Sequence, residues 1–311
     1  MATLSRRPAH TRTGDPALAR RLDAALAGDV LFSAFDRGRY ATDASIYQIE
    51  PLGVVRPRSK ADVEAALAIA REEGVSVLPR GGGTSQAGQT VGRSLVLDNS
   101  RWLTGVHDLD VEARTVRVEP GVVLDDLNRF LQPYGLFYPV DVSTGSRATL
   151  GGMTANNSCG SRSLRYGVSI DNVLEIEAVT AAGDTVRCGE VGPNLEGLTG
   201  ATADLVRDLE GLAAREADEI AARFPKTARQ VGGYALDRVK PGGRWNLASV
   251  LVGSEGTLAY FTAIKLKLSP LPRHRVMGVC HFPSFRAAME AAPHLVTLDP
   301  TCVELVDRTI L

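Results

Sequence analysis

Residues 78–90, LPRGGGTSQAGQT, put three consecutive glycines behind a short apolar run and follow them with the hydroxyls of Thr84 and Ser85. Glycine loses more conformational freedom on folding than any other residue, so a run this dense marks a backbone shape or a close approach that side chains would block. Successive backbone N–H groups beside two hydroxyls make a concave array suited to an anion. The other reading is a tight structural turn. Neither common phosphate motif fits. Gly83 and Gly88 have the Walker gap, but Gln89-Thr90 stands where its lysine belongs. Gln86 occupies the last glycine position of the dinucleotide fingerprint, and no helix pattern opens straight after the loop.

A second stretch, PVDVSTGSRATLGGMTANNSCGSRSLRYG over 139–167, is polar, glycine-rich and without clear periodicity. Structureless connections of this length are uncommon in compact domains and are usually functional. It supplies Thr149, Gly151, Gly152 and the amides of Asn156 and Asn157. Amides offer donors and acceptors together, which suits a ring edge or a ribose. The same side chains also cap their own loops. One ligand touching both stretches would be long, with phosphates at one end and a polar ring at the other.

Other chemistries are poorly supported. Ser254 directly follows Gly253, so G-x-S-x-G is not satisfied and GSEGT is no nucleophile elbow. The five histidines (His10, His107, His274, His281, His294) are scattered, no H-E-x-x-H occurs, and no metal site is expected. The four cysteines are far apart with no C-x-x-C, against zinc, iron–sulfur or disulfide frameworks. Tyr234 in GGYALD reads as packing. With a net charge of −1 and 5% aromatics there is no nucleic-acid footprint. No apolar run approaches the ~18 residues of a membrane span. The basic N-terminus lacks the apolar core of a secretory signal. A reducing cytoplasmic setting is expected, with peripheral attachment to the inner membrane face as a variant.

The elements that must position these loops are mostly legible. Helical spacing covers 16–35, and an extended segment covers 53–59. A helix over 59–74 has Ser59 as N-cap, Asp62 at N3 and Gly74 as stop. Apolar strands follow at 75–79, from whose end the glycine loop leaves, and at 94–98. A half-wet strand spans 115–119, then a helix with Leu124, Leu127 and Leu131 inward and Gly135 as stop. A hairpin joins 173–181 to 185–189 across Ala-Gly-Asp. A helix over 195–224, a polar loop over 225–246 and two strands around 253–257 come next. Residues 270–273 read as a linker, followed by a strand over 275–282, a helix over 284–292 and the start of a strand at 302–307.

PRGGGTSQAGQ, the 139–167 stretch, GGYALDR and VGSEGTLAYFTAIKLKL, in that order, make the chain resemble the FAD-linked oxidases. These carry a flavin domain of the vanillyl-alcohol-oxidase (PCMH) type. The D-lactate, glycolate and D-2-hydroxyglutarate dehydrogenase branch is most similar, and the resemblance covers about residues 41–311. It implies an α+β fold in which FAD lies between two α/β subdomains, followed by the start of a truncated α+β cap. The corresponding organisation is an N-terminal helical extension (1–40), an FAD-binding domain (41–272, divided near 41–105 and 106–272) and the beginning of a substrate domain (273–311). It implies that Arg80, Gly81, Gly82, Gly83, Thr84 and Ser85 cradle the pyrophosphate. Ser143, Thr149, Gly151, Gly152, Asn156, Asn157, Gly160 and Tyr166 would form the second flavin-contacting loop. Glu255 and Gly256 would make a late contact, and Ile264 would lie near the adenine. Covalent members carry histidine where Thr84 stands, so the FAD is expected to be non-covalent. Cys159 and Ala259 replace glycines common in the family. The implied activity is oxidation of a small D-2-hydroxy acid, D-lactate-like, to the 2-oxo acid by hydride transfer to flavin. Electrons would pass to a quinone or cytochrome, and a partner subunit could complete the cap. The catalytic residues of the relatives fall beyond the matching segment, so none is assigned. A non-catalytic flavin-binding subunit is the competing reading.

Overall fold

A computed structural model describes residues 12–193, 197–227, 229–307 and 309. Helix α1 (Pro16–Ala25) opens with Asp15 as N-cap and buries Leu18 and Leu22. The expected helix through residue 35 stops there, because β1 (Asp29–Leu31) pairs antiparallel with β2 (Gly53–Arg56). Tertiary pairing overrides local helical periodicity at Val30. Between them lies α2 (Ala34–Arg39).

Helix α3 (Lys60–Glu72) follows its sequence signals: Ser59 Oγ accepts the Asp62 N–H at 3.2 Å, and Gly74 has φ +62°. The Asp62 carboxylate in turn accepts the N–H groups of Ala27 and Arg58, tying the start of α3 to the chain after α1. Strands β3 (Val77–Arg80) and β4 (Leu95–Asp98) complete a four-stranded sheet of order β1-β2-β4-β3, in which β2, β4 and β3 are parallel. The central strand β4 is buried at all four positions, as a strand covered on both faces must be. The helices α1 and α3 supply Leu18, Leu22, Val63, Ala66 and Ile69 to its core.

The second sheet is antiparallel. Strand β5 (Val106–Asp110), too polar to be visible in the sequence, pairs with β6 (Thr115–Val118). Helix α4 (Leu124–Leu131) buries Leu124, Leu127 and Leu131 as expected, and Gly135 ends the following turn with φ +68°. After β7 (Leu136–Phe137) the stretch over 139–167 is not structureless. It contains α5 (Leu150–Asn156) and α6 (Ser163–Tyr166), and α7 (Ser169–Asn172) follows. The hairpin of β8 (Val173–Thr180) and β9 (Thr185–Cys188) lies where expected, and β10 (Glu190–Val191) follows. The expected helix over 195–224 is divided into α8 (Gly200–Arg215) and α9 (Ala217–Arg223), and 194–196 lie outside the described residues. Strand β11 (Trp245–Asn246) pairs with β10, while α10 (Ala248–Leu251) stands where a strand was expected. Strand β12 (Ala259–Lys267) is the centre of the five-stranded order β5-β6-β12-β8-β9, and β13 (Ser269–Pro270) pairs with β7. The fold is thus α+β, built as two α/β subdomains.

Among the described residues beyond 270, only α11 (Phe285–Val296) is regular. The strands expected over 275–282 and 302–307 do not form. No neighbouring strand takes their backbone hydrogen bonds among the described residues, and Val276 and Val279 stay exposed.

Ile264 sits in the middle of β12, fully buried, with Val118 and Ile176 as its partners on either side. Ile264→Ala is expected to cost about 2–5 kcal/mol through lost burial and the cavity left behind. Urea unfolding followed by circular dichroism checks this, with a lower midpoint at unchanged slope. An unshifted midpoint would show that this strand does not carry the core.

Candidate functional site

The glycine loop leaves the C-terminal end of β3 at Arg80. This side chain turns beneath the loop rather than out of it. Its guanidinium donates to the carbonyls of Tyr40 (3.0 Å), Thr42 (2.7 Å) and Thr90 (3.0 Å), joining the incoming chain to the far end of the loop. Burial draws its pKa down, and the carboxylates of Asp98 and Asp43 oppose that shift. The Tyr40 hydroxyl donates to Asp98 Oδ2 at 2.6 Å, and its phenol is pushed up by burial and by that carboxylate. Thr90 Oγ1 donates to Asp43, and the Ala44 N–H to the Gly83 carbonyl, so residues 40–44 strap the loop from outside.

The three glycines have a physical reason that differs from the expected one. A Cβ on Gly81 would overlap Thr149 Oγ1, and a Cβ on Gly82 would overlap the Arg147 carbonyl. Gly83 has φ +64°, and a Cβ there would stand 2.7 Å from the Arg80 guanidinium. The first loop therefore lies backbone to backbone on the second. Space expected for a ligand at Gly82 is taken by residue 147. On the second loop, a Cβ on Gly151 would stand 2.6 Å from the Pro120 ring. That close approach seats α5, whose N-cap is Thr149.

The two loops form the walls of a groove between the subdomains. Pro79, Arg80, Gly81, Ser85, Gln89, Thr90 and Asn99 line one side. Pro120, Gly151, Gly152, Ala155 and Asn156 line the other, and Glu255, Gly256, Ala259 and Phe261 close it. Of the residues singled out from sequence, Arg80, Gly81, Ser85, Gly151, Gly152, Asn156, Glu255 and Gly256 meet here. Gly82, Gly83 and Thr84 belong to the same loop but do not line the groove, and neither does the buried N-cap Thr149. Ser143 is exposed, and Gly160 is pressed against Asp141. Tyr166 packs edge-on against Phe137 at 5.6 Å, and Ile264 is sealed in the core. Gln89, Thr90, Asn99 and Pro120 were missed. Asn99 directly follows the parallel strand β4, and ligand crevices in such sheets open at carboxyl strand ends, a signal that could have found it.

The asparagines divide between the two readings left open above. Asn157, with φ +52°, caps α5; its amide donates to the Gln230 carbonyl at 3.1 Å and accepts the Ile170 N–H at 3.0 Å. It is a structural cap. Asn156 faces the groove, donating to Glu255 Oε1 at 2.8 Å and accepting from Ser158 Oγ at 3.2 Å. The turn bearing Glu255 has three left-handed residues, Gly253, Glu255 and Gly256. Its backbone is pinned to α5 by Gly253 N–H to Thr154 O and Glu255 N–H to Ala155 O. Holding a glutamate at φ +52° is strained, and such strain concentrates at ligand sites. Tyr234 and Thr257 share a hydrogen bond of 2.8 Å that anchors the 225–246 loop to this turn.

The groove offers a ligand bare backbone and a few polar side chains together. Side-chain-free backbone lines it at Gly81, Gly151, Gly152 and Gly256. Gln89 Oε1 is buried in the wall with no hydrogen-bond partner among the described residues. A buried acceptor left unpaired costs about 1–3 kcal/mol, so this wall is built for a donor on a ligand. No cluster of three or more His, Cys, Asp or Glu among the described residues could hold a metal, and His10 lies outside them. No helix among the described residues is long and apolar enough to cross a membrane. Cys188 is buried, and burial pushes its thiol up to about 12.

The loop contact predicts unequal rescue. Gly81→Ala collides with a side chain, so adding Thr149→Ala restores part of the lost thermal stability. Gly82→Ala collides with a backbone carbonyl, and no side-chain deletion restores it. Thermal unfolding of Gly81→Ala and Gly82→Ala, each alone and combined with Thr149→Ala, checks this, and equal rescue at both positions would refute the packing argument.

Residues 51–189 match the family model described as FAD binding domain. D-2-hydroxyglutarate dehydrogenase of Haemophilus influenzae is 35% identical over 298 residues, and that of Escherichia coli K12 is 36% identical over 293; each match covers 91% of this chain and 29% of the relative. Glycolate oxidase subunit GlcD of Bacillus subtilis is 30% identical, with 92% of this chain and 52% of the relative covered. The chain thus spans roughly a third to a half of the length of these relatives. A solved structure of alkyldihydroxyacetonephosphate synthase shares the fold at TM-score 0.66 and 20% identity, over 97% of this chain and 51% of that one. The chain carries an FAD-binding domain over residues 51–189 and is similar over most of its length to FAD-linked oxidases.

Proposed function

We propose that this protein serves the FAD-dependent oxidation of a D-2-hydroxy acid to the 2-oxo acid, with electrons passed on to a quinone or a cytochrome. The observation that supports it best is the groove itself, where two glycine-bearing loops from different subdomains face one another beside an unpaired buried acceptor. Relatives named for D-2-hydroxyglutarate, D-lactate and glycolate support the substrate class. Bound FAD supplies the hydride acceptor for the α-carbon of the hydroxy acid.

The residues of this chain bind and orient. The N–H groups of Gly81 and Ser85 and the Ser85 hydroxyl, where the glycine loop lines the groove, hold the diphosphate. Gln89 Oε1 accepts from a ligand donor, and Asn156, fixed between Glu255 and Ser158, keeps its wall in one geometry. Walls tied by so many internal hydrogen bonds leave little to reorganise on binding, which favours affinity. Thr84 offers no imidazole for a bond to the flavin, so the cofactor is held without a covalent link.

Two measurements test this reading. Acid precipitation of the FAD-loaded protein is expected to leave the flavin in the supernatant; flavin retained in the pellet would refute non-covalent binding. Anaerobic addition of D-2-hydroxyglutarate, D-lactate or glycolate to the FAD-loaded protein is expected to bleach the flavin absorbance with at least one of them. The L-enantiomers of the chiral acids should have no effect. Bleaching by none, or by L-acids alone, would refute the substrate class.

A further inference from the structure

Strand β12 alternates across the joint between the subdomains. Ala259 and Phe261 line the groove, while Tyr260 between them is buried in the core of the other sheet, among Leu95, Leu97 and the residues of α1 and α3. Its phenol ends on the side chain of Asn99, the first residue after β4. The tyrosine is 3% exposed and the asparagine 6%. Burial pushes this phenol well above the ordinary tyrosine range, so it stays protonated and donates to Asn99 Oδ1.

That bond fixes which end of the amide is spent and which is free. Asn99 Oδ1 is turned to Tyr260. Nδ2 makes no hydrogen bond to the described residues, although Asn99 lines the groove. The backbone around it is rigid. The Asn99 N–H donates to the Arg80 carbonyl at 2.9 Å, at the root of the glycine loop, and its own carbonyl accepts the Leu103 N–H. A Cβ on Gly121 would overlap that same carbonyl, so Asn99 is clamped between the two subdomains. An amide donor held this way lies one residue beyond the Arg80–Asp98 pair, beside the start of the glycine loop.

We propose that Asn99 Nδ2 is a ligand of the cofactor's diphosphate bridge, and that Tyr260 is a positioning residue that orients it. This rests on the FAD reading above and adds to it a donor from outside the glycine loop. A fixed side-chain donor supplies one directional hydrogen bond to an ionised oxygen, the stronger kind of hydrogen bond.

The test measures affinity, with FAD followed by flavin fluorescence and ADP by calorimetry. Asn99→Leu is expected to raise the dissociation constants of both FAD and ADP about tenfold, as expected for loss of a bond to a charged oxygen. Tyr260→Phe raises both in the same direction, and the double variant is no worse than Asn99→Leu alone, since the tyrosine acts through the asparagine. Asn99→Asp keeps an acceptor for Tyr260 while facing the diphosphate with a negative charge. It binds more weakly than Asn99→Leu and covers the case in which the leucine variant fails to fold. Unchanged affinity in Asn99→Leu or Asn99→Asp would overturn the proposal. Weakened FAD with unchanged ADP would move the contact to the flavin half and overturn the diphosphate assignment. Additive losses in the double variant would overturn the positioning role. Failure of the unsubstituted protein to bind FAD would instead refute the reading on which this rests.

Discussion

The contact on which the site depends is between two backbones. Residues 81 and 82 lie against residues 147–149 with no room for a Cβ at either glycine. Everything lining the groove is placed relative to that seam. On one side it fixes the height of the loop above Arg80; on the other it fixes Thr149, the N-cap from which α5 starts. Because α5 also holds the 253–257 turn through two backbone hydrogen bonds, a displacement at the seam moves three walls together. Glycine here is a packing requirement first, and the exposure of N–H groups follows from it.

The seam needs a frame that does not shear, and the sheets provide one at several points. Tyr260 leaves the second sheet to fill the core of the first. On the outer side Lys60 pairs with Glu177, and Arg71 donates to the Ala182 carbonyl at 2.7 Å, so the β8–β9 hairpin is tied to α3. The surface pairs contribute little individually, about 0–1 kcal/mol. Burial of Tyr260 and of the residues it touches contributes far more, because an aromatic ring removes a large apolar area from water. The joint between subdomains is therefore core rather than hinge.

Much of this was legible in the sequence, for reasons that differ by residue. Helix α3 was readable because Ser59, Asp62 and Gly74 are local signals acting within one turn. The strands β4 and β12 were readable from their runs of apolar residues. Strand β1 was not, because its existence depends on pairing with β2, a partner more than twenty residues away. Helix α5 hid behind Gly151 and Gly152, which read as loop residues; the reason for Gly151 is Pro120, a contact no local pattern reveals. The glycine loop was correctly marked as a site of close approach, but the approaching partner was another loop as well as open groove. Asn157 looked like a ligand and is a cap, since its partners, Gln230 and Ile170, are supplied only by the fold.

The absence of a Walker-type lysine now has a physical answer. An anion over this loop would need positive charge nearby, and among the described residues no cationic side chain lines the groove except Arg80 itself. That guanidinium sits under Gly83, bonded to three carbonyls and largely removed from water. Arginine keeps its charge even when burial lowers its pKa, because its starting value is far above neutrality. Its field reaches the loop through protein rather than solvent and is screened much less than a surface charge would be. The carbonyls it binds belong to residues 40, 42 and 90, so its own donors are spent away from the glycines. The loop thus draws its electrostatic support from behind, which leaves the side facing the groove free of bulky cations and open to backbone donors.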